Sequence, residues 1–308
     1  MEKEYMKFVE TLRHSLLEVT DYQEEMISFK KGDEYPRTAG DRLLLKTARQ
    51  EGVYEVCALY VRELYEGYLK GWSIESIVQE VLHRLEAVLK SECFKKTRDL
   101  EDYNKIKGDL FIRLLNLDRN REELQDSIYR TVGDIALVLY ARLGELEGNR
   151  TSIKIKRHIL EKWEKDEGMV FENALLNTYF LSPPRIYYWE KLFFDSDYEG
   201  ENFMNLLTDI EIGKDVVGNC LSTTIRTNGA VAIFLPGVAD RIGNLMNGGF
   251  YMVFTSVHEV MIHSDRYSDP EDLKAILEET VEDSTPEEDF LTYYIYHYDP
   301  ATGEFTYC

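Results

Sequence analysis

The sequence predicts an α+β fold, with mixed or antiparallel sheets, short helices and a helical hairpin in its N-terminal half. Three observations carry this reading. Amphipathic helical stretches and short apolar runs alternate in small groups, not in the regular βαβ units of a parallel sheet. Several strand-like runs are neighbours joined by turn residues such as Asn228-Gly229, which tolerate positive φ and suit antiparallel hairpins. Finally, residues 58–90 carry two helical stripes separated only by Gly71 to Ser73, a connection short enough for an antiparallel helix pair.

Taken in order, Tyr5, Phe8, Val9, Leu12, Leu16 and Val19 recur at the spacing of an amphipathic helix. "EMISFK" and "RLLLKTA" follow, short and bounded by Gly32, Pro36 and Gly40, and read as strands. In the helical hairpin, Leu64, Tyr65, Tyr68 and Leu69 line the first helix and Gly71 ends it. Ser73 caps the second, whose face is Ile74, Ile77, Val78, Val81, Leu82, Leu85 and Leu89. "KGDLFIRLLNL", "DIALVLYARL" and "TSIKIK" read as strands, the last from its alternation. Helices follow through Leu160 and Trp163 and through Val170 to Leu175, closed by Pro183-Pro184. The acidic segment 193–218 is weakly patterned and fits an inserted loop or short helix.

Beyond it, "CLSTTIR" and "AVAIFL" flank Thr227-Asn228-Gly229 as a hairpin, and Pro236 opens a short helix ending near Met246. "FYMVFTS" and "HEVMIH" read as strands, with His258 and Glu259 in the second. Asp269-Pro270-Glu271-Asp272 starts a helix that buries Leu273, Ile276 and Leu277. The tail pairs two strands about Asp299-Pro300 and Gly303, with Tyr294, Tyr296 and Tyr298 on one face and Tyr293 and Ile295 on the other. The division this suggests is a module over residues 1–124 containing the helical hairpin 58–90, and a module over 125–308 ending in the β-hairpin.

With 308 residues, 44% hydrophobic and 30% charged, the chain can bury a full core and is not of disordered composition. Its 36 basic and 57 acidic residues leave a net charge of −21, a field that repels nucleic-acid phosphates and anionic membranes. Basic residues are interleaved with acids, as in Lys105, Lys107 and Arg113 among Asp102 and Asp109. The partner this charge favours is a protein with a basic surface, with no nucleic acid and no membrane. Cys57, Cys93, Cys220 and Cys308 are widely spaced and read as reduced thiols of a cytoplasmic protein, Cys57 buried in its apolar run. The start MEKEYMKFVE is charged, unlike a signal peptide, and no apolar run approaches the ~20 residues of a membrane span.

The most enzyme-like string is "TSVHEVMIHSD", Thr255 to Asp265. A zinc-binding H-E-x-x-H sets two histidines four apart on one helix face. Here His263 follows His258 by five, which turns it about 140° away on a helix or puts it on the opposite face of a strand. No metal site is expected. His14, His83, His158 and His297 fall on separate elements, and the sequence has no G-x-S-x-G, phosphate-binding loop or dinucleotide fingerprint; no cofactor is expected. The 21 tyrosines suit core edges or a partner interface, where one end is dry and the other wet.

The strings "GWSIESIVQEVLHRLE", "ENALLNT", "AVAIFLPGVADRIGNLM", "MVFTSVHEVMIHSD" and "DPEDLKAILEETVEDSTPEEDFLTYYIYHYD", in that order, resemble an uncharacterised family of acidic proteins from anaerobic Firmicutes, a domain of unknown function. The resemblance spans about Met6 to Asp299. After about Ser127 the chain is also distantly similar to the YtpQ-type family of unknown function, through Ala174 and Asn177 at a helix end and Ser256 in a turn. That likeness implies a strand for His258-Glu259 and brings no catalytic residue, substrate or cofactor. The function expected is a non-enzymatic cytoplasmic protein-interaction or accessory factor. The alternative is an enzyme, such as a hydrolase, with a pocket in the C-terminal module where Asn177, Arg226, Ser256, His258 and Glu259 converge.

Overall fold

A computed structural model describes residues 2–32, 40–50, 53–146, 149–195, 197–207, 210–213 and 219–307. They form two compact units, Met1–Lys95 and Lys96–Cys308, in an α+β architecture with antiparallel sheets.

In the first unit, helix α1 (Glu2–Val19) buries Tyr5, Phe8, Val9, Leu12 and Leu16, as its periodicity requires, while Val19 is exposed. Strands β1 (Ile27–Lys30), β2 (Arg42–Gln50) and β3 (Val53–Tyr60) form an antiparallel sheet in that order. The start of the expected helical hairpin belongs to this sheet: Leu59 pairs with Leu43, and both are buried. The hairpin itself is α2 (Val61–Leu69) and α3 (Ile74–Lys90). Gly71 turns the chain at φ +98°, and the Ser73 side chain accepts from the Ser76 N–H, satisfying one of the orphan donors of a helix start. Cys57 is half-buried, not buried.

The boundary between units falls within α4 (Glu92–Asp99), well before residue 124. The reason is pairing. After α5 (Tyr103–Ile106), β4 (Leu110–Asn116) bonds along its whole length to β6 (Ile135–Leu146), so a division at 124 would split a ladder. Between them lie α6 (Arg121–Leu124) and β5 (Tyr129–Val132); β7 (Asn149–Lys154) takes the far half of β6. Helices α7 (Arg157–Trp163) and α8 (Glu167–Leu181) follow, then β8 (Pro184–Tyr188) and α9 (Trp189–Phe194). The acidic segment after α9 is tied down at two points: Glu201 bridges to Ile186, and Phe203 is fully buried.

The remaining elements are β9 (Asn219–Thr223), α10 (Val238–Met246), β10 (Phe250–Ser256), β11 (Glu259–Ser264), α11 (Pro270–Ser284), β12 (Tyr296–Asp299) and β13 (Glu304–Tyr307). They build a six-stranded antiparallel sheet in the order β13-β12-β10-β11-β9-β8. One face packs Phe250, Phe254, Ile262 and Tyr296 into a core shared with Ile112, Leu137 and Leu139 of the four-stranded sheet. The other face packs Val253 and Met261 against Leu273, Leu277 and Val281 of α11.

Several expectations need correction here. "AVAIFL" is not the second strand of a hairpin. Asn228 does adopt positive φ, but Gly229–Phe234 is a 3-10 turn, because both edges of β9 are already taken by β11 and β8. Pro236 precedes the helix instead of opening it; Gly237 is the cap of α10. Ile276 is 55% exposed, and Val281 takes the third buried position of α11, since i, i+4 and i+8 form its inward stripe. His258 lies in the β10–β11 turn, not in the strand. In the tail, Tyr296 and Tyr298 share the core-facing side of β12, but Tyr294 precedes the strand and is exposed.

Candidate functional site

Beside helix α11 lies a cavity of about 700 Å³, walled by the helix and by β10, β11 and the turn between them. The helix leaves this space because its inward stripe of Leu273, Leu277 and Val281 touches the sheet, while Ile276, Thr280 and Ser284 run along the flank. Val253, Met261, Leu273, Ile276 and Leu277 make an apolar floor. Asp269, Asp272, Asp289 and Glu259 supply negative charge, and none of the described lining residues is Lys or Arg. Asp269 also caps α11 by accepting from the Glu271 N–H.

The His258-Glu259 pair lies in this cleft, and its polar atoms are occupied. The Asn228 N–H donates to His258 Nδ1 (3.0 Å). That leaves the ring proton on Nε2, which lies 3.2 Å from Asp289 Oδ2. Ser222 Oγ donates to the His258 carbonyl (2.8 Å), and Ser256 Oγ accepts from the His258 N–H (3.1 Å). Glu259 Oε1 accepts from Thr255 Oγ1 (3.1 Å), and Oε2 lies 3.4 Å from Cys220 Sγ. Burial, reinforced by Glu259, pushes the Cys220 thiol far above its ordinary value, so it is not a thiolate nucleophile. A general base needs a free lone pair within reach of its proton. Both imidazole nitrogens here are engaged, and Ser256 Oγ accepts from the turn backbone. The string that looks catalytic ties the β10–β11 turn to β9 and to Asp289.

Of the five residues expected to converge, the structure brings Ser256, His258 and Glu259 together in the cleft. Asn177 lies on α8, where Nδ2 donates to the carbonyls of Lys107 (2.7 Å) and Leu110 (3.0 Å) and pins the entry to β4. Arg226 turns at φ +62°, donates to the Tyr198 carbonyl, and stacks 4.8 Å from the Tyr187 ring centroid. Asp289 and His263 were not singled out as site residues by sequence reasoning. Asp289 is 31 residues from His258 and joined to it only by the fold. His263 lines the cleft from β11, and burial lowers its imidazole pKa. Among the described residues no group of three or more His, Cys, Asp or Glu is placed to hold a metal ion, and no helix is long and apolar enough to cross a membrane.

Residues 5–300 match the family model DUF5688, a family of unknown function, and the chain belongs to that family. Comparison with curated proteins and with solved structures finds no match.

Proposed function

We propose that this member of the DUF5688 family is a cytoplasmic binding protein, whose cleft beside α11 receives a basic segment of a partner protein. The observation that carries this reading is an apolar floor beneath a set of carboxylates, with no Lys or Arg among the described lining residues. Such a cleft rewards an occupant with an aliphatic or aromatic anchor and a flanking ammonium or guanidinium, because the anchor leaves water and the cation meets opposite charge. The volume of about 700 Å³ lies within the roughly 300–1,000 Å³ range of binding pockets. The net charge of −21 steers basic partners toward the surface and nucleic acid away from it. Free thiols at Cys57 and Cys220 fit a reducing compartment. The alternative of a hydrolase built on His258 is disfavoured by the two bonds that hold its ring nitrogens.

The test uses a fluorescent synthetic peptide of alternating Lys and Leu, titrated against the full chain by anisotropy, with an acidic Glu-Leu peptide as control. The basic peptide binds and the control does not, and its association rate falls as salt rises. Ile276→Asp, which places charge on the floor, and Asp272→Lys, which inverts the rim, each weaken binding by roughly tenfold or more. Equal binding of both peptides, or indifference to both substitutions, would sink the reading.

A further inference from the structure

A second cavity of the C-terminal unit, about 950 Å³, opens between the β6–β7 arm and the ends of α8 and β9. Among the described residues that line it, Lys96, Arg113, Arg142 and Arg150 stand with two carboxylates, Asp109 and Glu145. The formal excess is two positive charges, inside a chain whose net charge is −21. Asp109 is shared between Lys96 (2.5 Å) and Arg142 (3.1 Å). Arg113 has no carboxylate partner among the described residues. Its guanidinium lies 5.1 Å from the Phe111 ring centroid and 5.3 Å from that of Tyr140, and its Nε is buried without a hydrogen-bond partner.

Two further lining residues are in the same condition. Ser182 Oγ, just past α8, and Thr223 Oγ1, at the end of β9, are buried and unpartnered, and Thr223 as a whole is only 1% exposed. Buried donors are nearly always satisfied, because an unmet donor forfeits its hydration for nothing. Three of them on residues that line one cationic groove, one of these a guanidinium, point to an anion with several acceptor oxygens. A phosphate monoester carries about −1.5 to −2 charges at pH 7 and three such oxygens. A single carboxylate brings one charge and two oxygens, and matches the excess less well.

We propose that this groove binds a small molecule bearing a phosphate monoester, with Arg113 as its main ionic contact and the Ser182 and Thr223 hydroxyls as donors. A nucleic-acid strand would carry its phosphates over a protein of net charge −21, whereas a small ligand need only enter the groove. The site is separate from the cleft beside α11 and stands whether or not that cleft binds a peptide.

Isothermal titration calorimetry of the full chain is run with AMP, inorganic phosphate, adenosine, citrate and a short RNA. AMP and phosphate bind; adenosine, citrate and RNA do not. Arg113→Leu weakens AMP by roughly tenfold or more. Thr223→Val guards against a trivial loss of fold: because Oγ1 has no partner, the variant melts no lower than the parent without ligand, yet it loses affinity. The same variant leaves Lys-Leu peptide binding unchanged, which separates failure of this site from failure of the cleft. Absence of AMP and phosphate binding, citrate binding as tightly, RNA binding more tightly, or unaltered AMP affinity in both variants overturns the assignment.

Discussion

The acidic cleft and the cationic groove of the C-terminal unit meet at one segment and treat their polar groups in opposite ways. Asn228 lines the cationic groove, and its N–H holds His258, which lines the acidic cleft. On the cleft side, the His258 ring is held by the Asn228 N–H and Asp289, Glu259 accepts from Thr255, and Ser256 Oγ accepts from the His258 N–H. On the groove side, Arg113, Ser182 and Thr223 keep buried donors with no partner. The difference teaches that a residue's chemical type says less about function than whether its hydrogen-bonding capacity is already spent. The histidine and glutamate that resemble a catalytic pair already have hydrogen-bond partners. The residues with unspent capacity belong to no recognisable motif.

The largest test of this comparison removes what both cavities rest on. Cutting the chain after Glu288 deletes Asp289, which holds His258, and the buried Phe290, Leu291, Ile295, Tyr296 and Tyr298. At ~1.5–3 kcal/mol for each side chain, the loss rivals the whole ~5–15 kcal/mol stability of a typical protein. It also severs polar ties between the two sheets: Tyr296 to Asp134 (2.7 Å), and Asn116 to the Leu291 carbonyl (2.8 Å). The truncated chain should lose the cooperative melting transition of the C-terminal unit, as followed by near-UV circular dichroism. Melting at the parent temperature would show that each cavity has its own support.

A smaller, sharper test strikes the shared segment. A Cβ on Gly229 would lie 2.0 Å from Ser222 Oγ, 2.7 Å from the His258 carbonyl and 2.9 Å from the Thr223 nitrogen. The serine can rotate, but two of these contacts are backbone. Gly229→Ala should therefore cost about 3 kcal/mol, from overpacking and from the lost Ser222–His258 bond. Adding Ser222→Gly should not restore stability. A denaturation midpoint within experimental error of the parent would mean that this wall yields, and that the two cavities are not held in register by it.

Much of the fold was legible in the sequence because it is written in local chemistry. The helical hairpin followed from the Ile77, Val81 and Leu85 stripe and the Ser73 cap, and the last hairpin from Gly303, which turns at φ +73°. The failures share one physical origin. "AVAIFL" has the composition of a strand, but whether it pairs depends on a free sheet edge, and β9 has none. Ile276 has the right residue type for a core, yet the stripe of α11 passes beside it. The sites were less legible still. Lys96, Arg113, Arg142 and Arg150 are interleaved with acids along the chain and become a cationic lining only when β4, β6, β7 and α4 come together. Ser256, His258 and Glu259 were visible as a cluster, but no sequence pattern reports that Asn228 and Asp289 already hold the histidine.

The mildest test asks how dry the acidic cleft is, compared with the groove. His263 lines it from β11, opposite Tyr251 on β10, and burial lowers its pKa below the ordinary histidine value. The unfolded chain therefore takes up a proton at higher pH than the folded one. Stability owed to this group is flat above the ordinary value of about 6.5 and falls as pH drops through it, until the folded form also protonates. Glu259, Asp269, Asp272 and Asp289 line the same cavity and pull the other way, since carboxylates favour the imidazolium. Burial dominates the shift, so the difference in unfolding free energy between the parent and His263→Gln should shrink between about pH 8 and pH 5.5. If the two profiles run parallel, water or the carboxylates compensate the ring. If the profile steepens once the Lys-Leu peptide is bound, the peptide lies beside His263, where its ammonium groups disfavour the imidazolium and its anchor on Ile276 adds to the ring's burial.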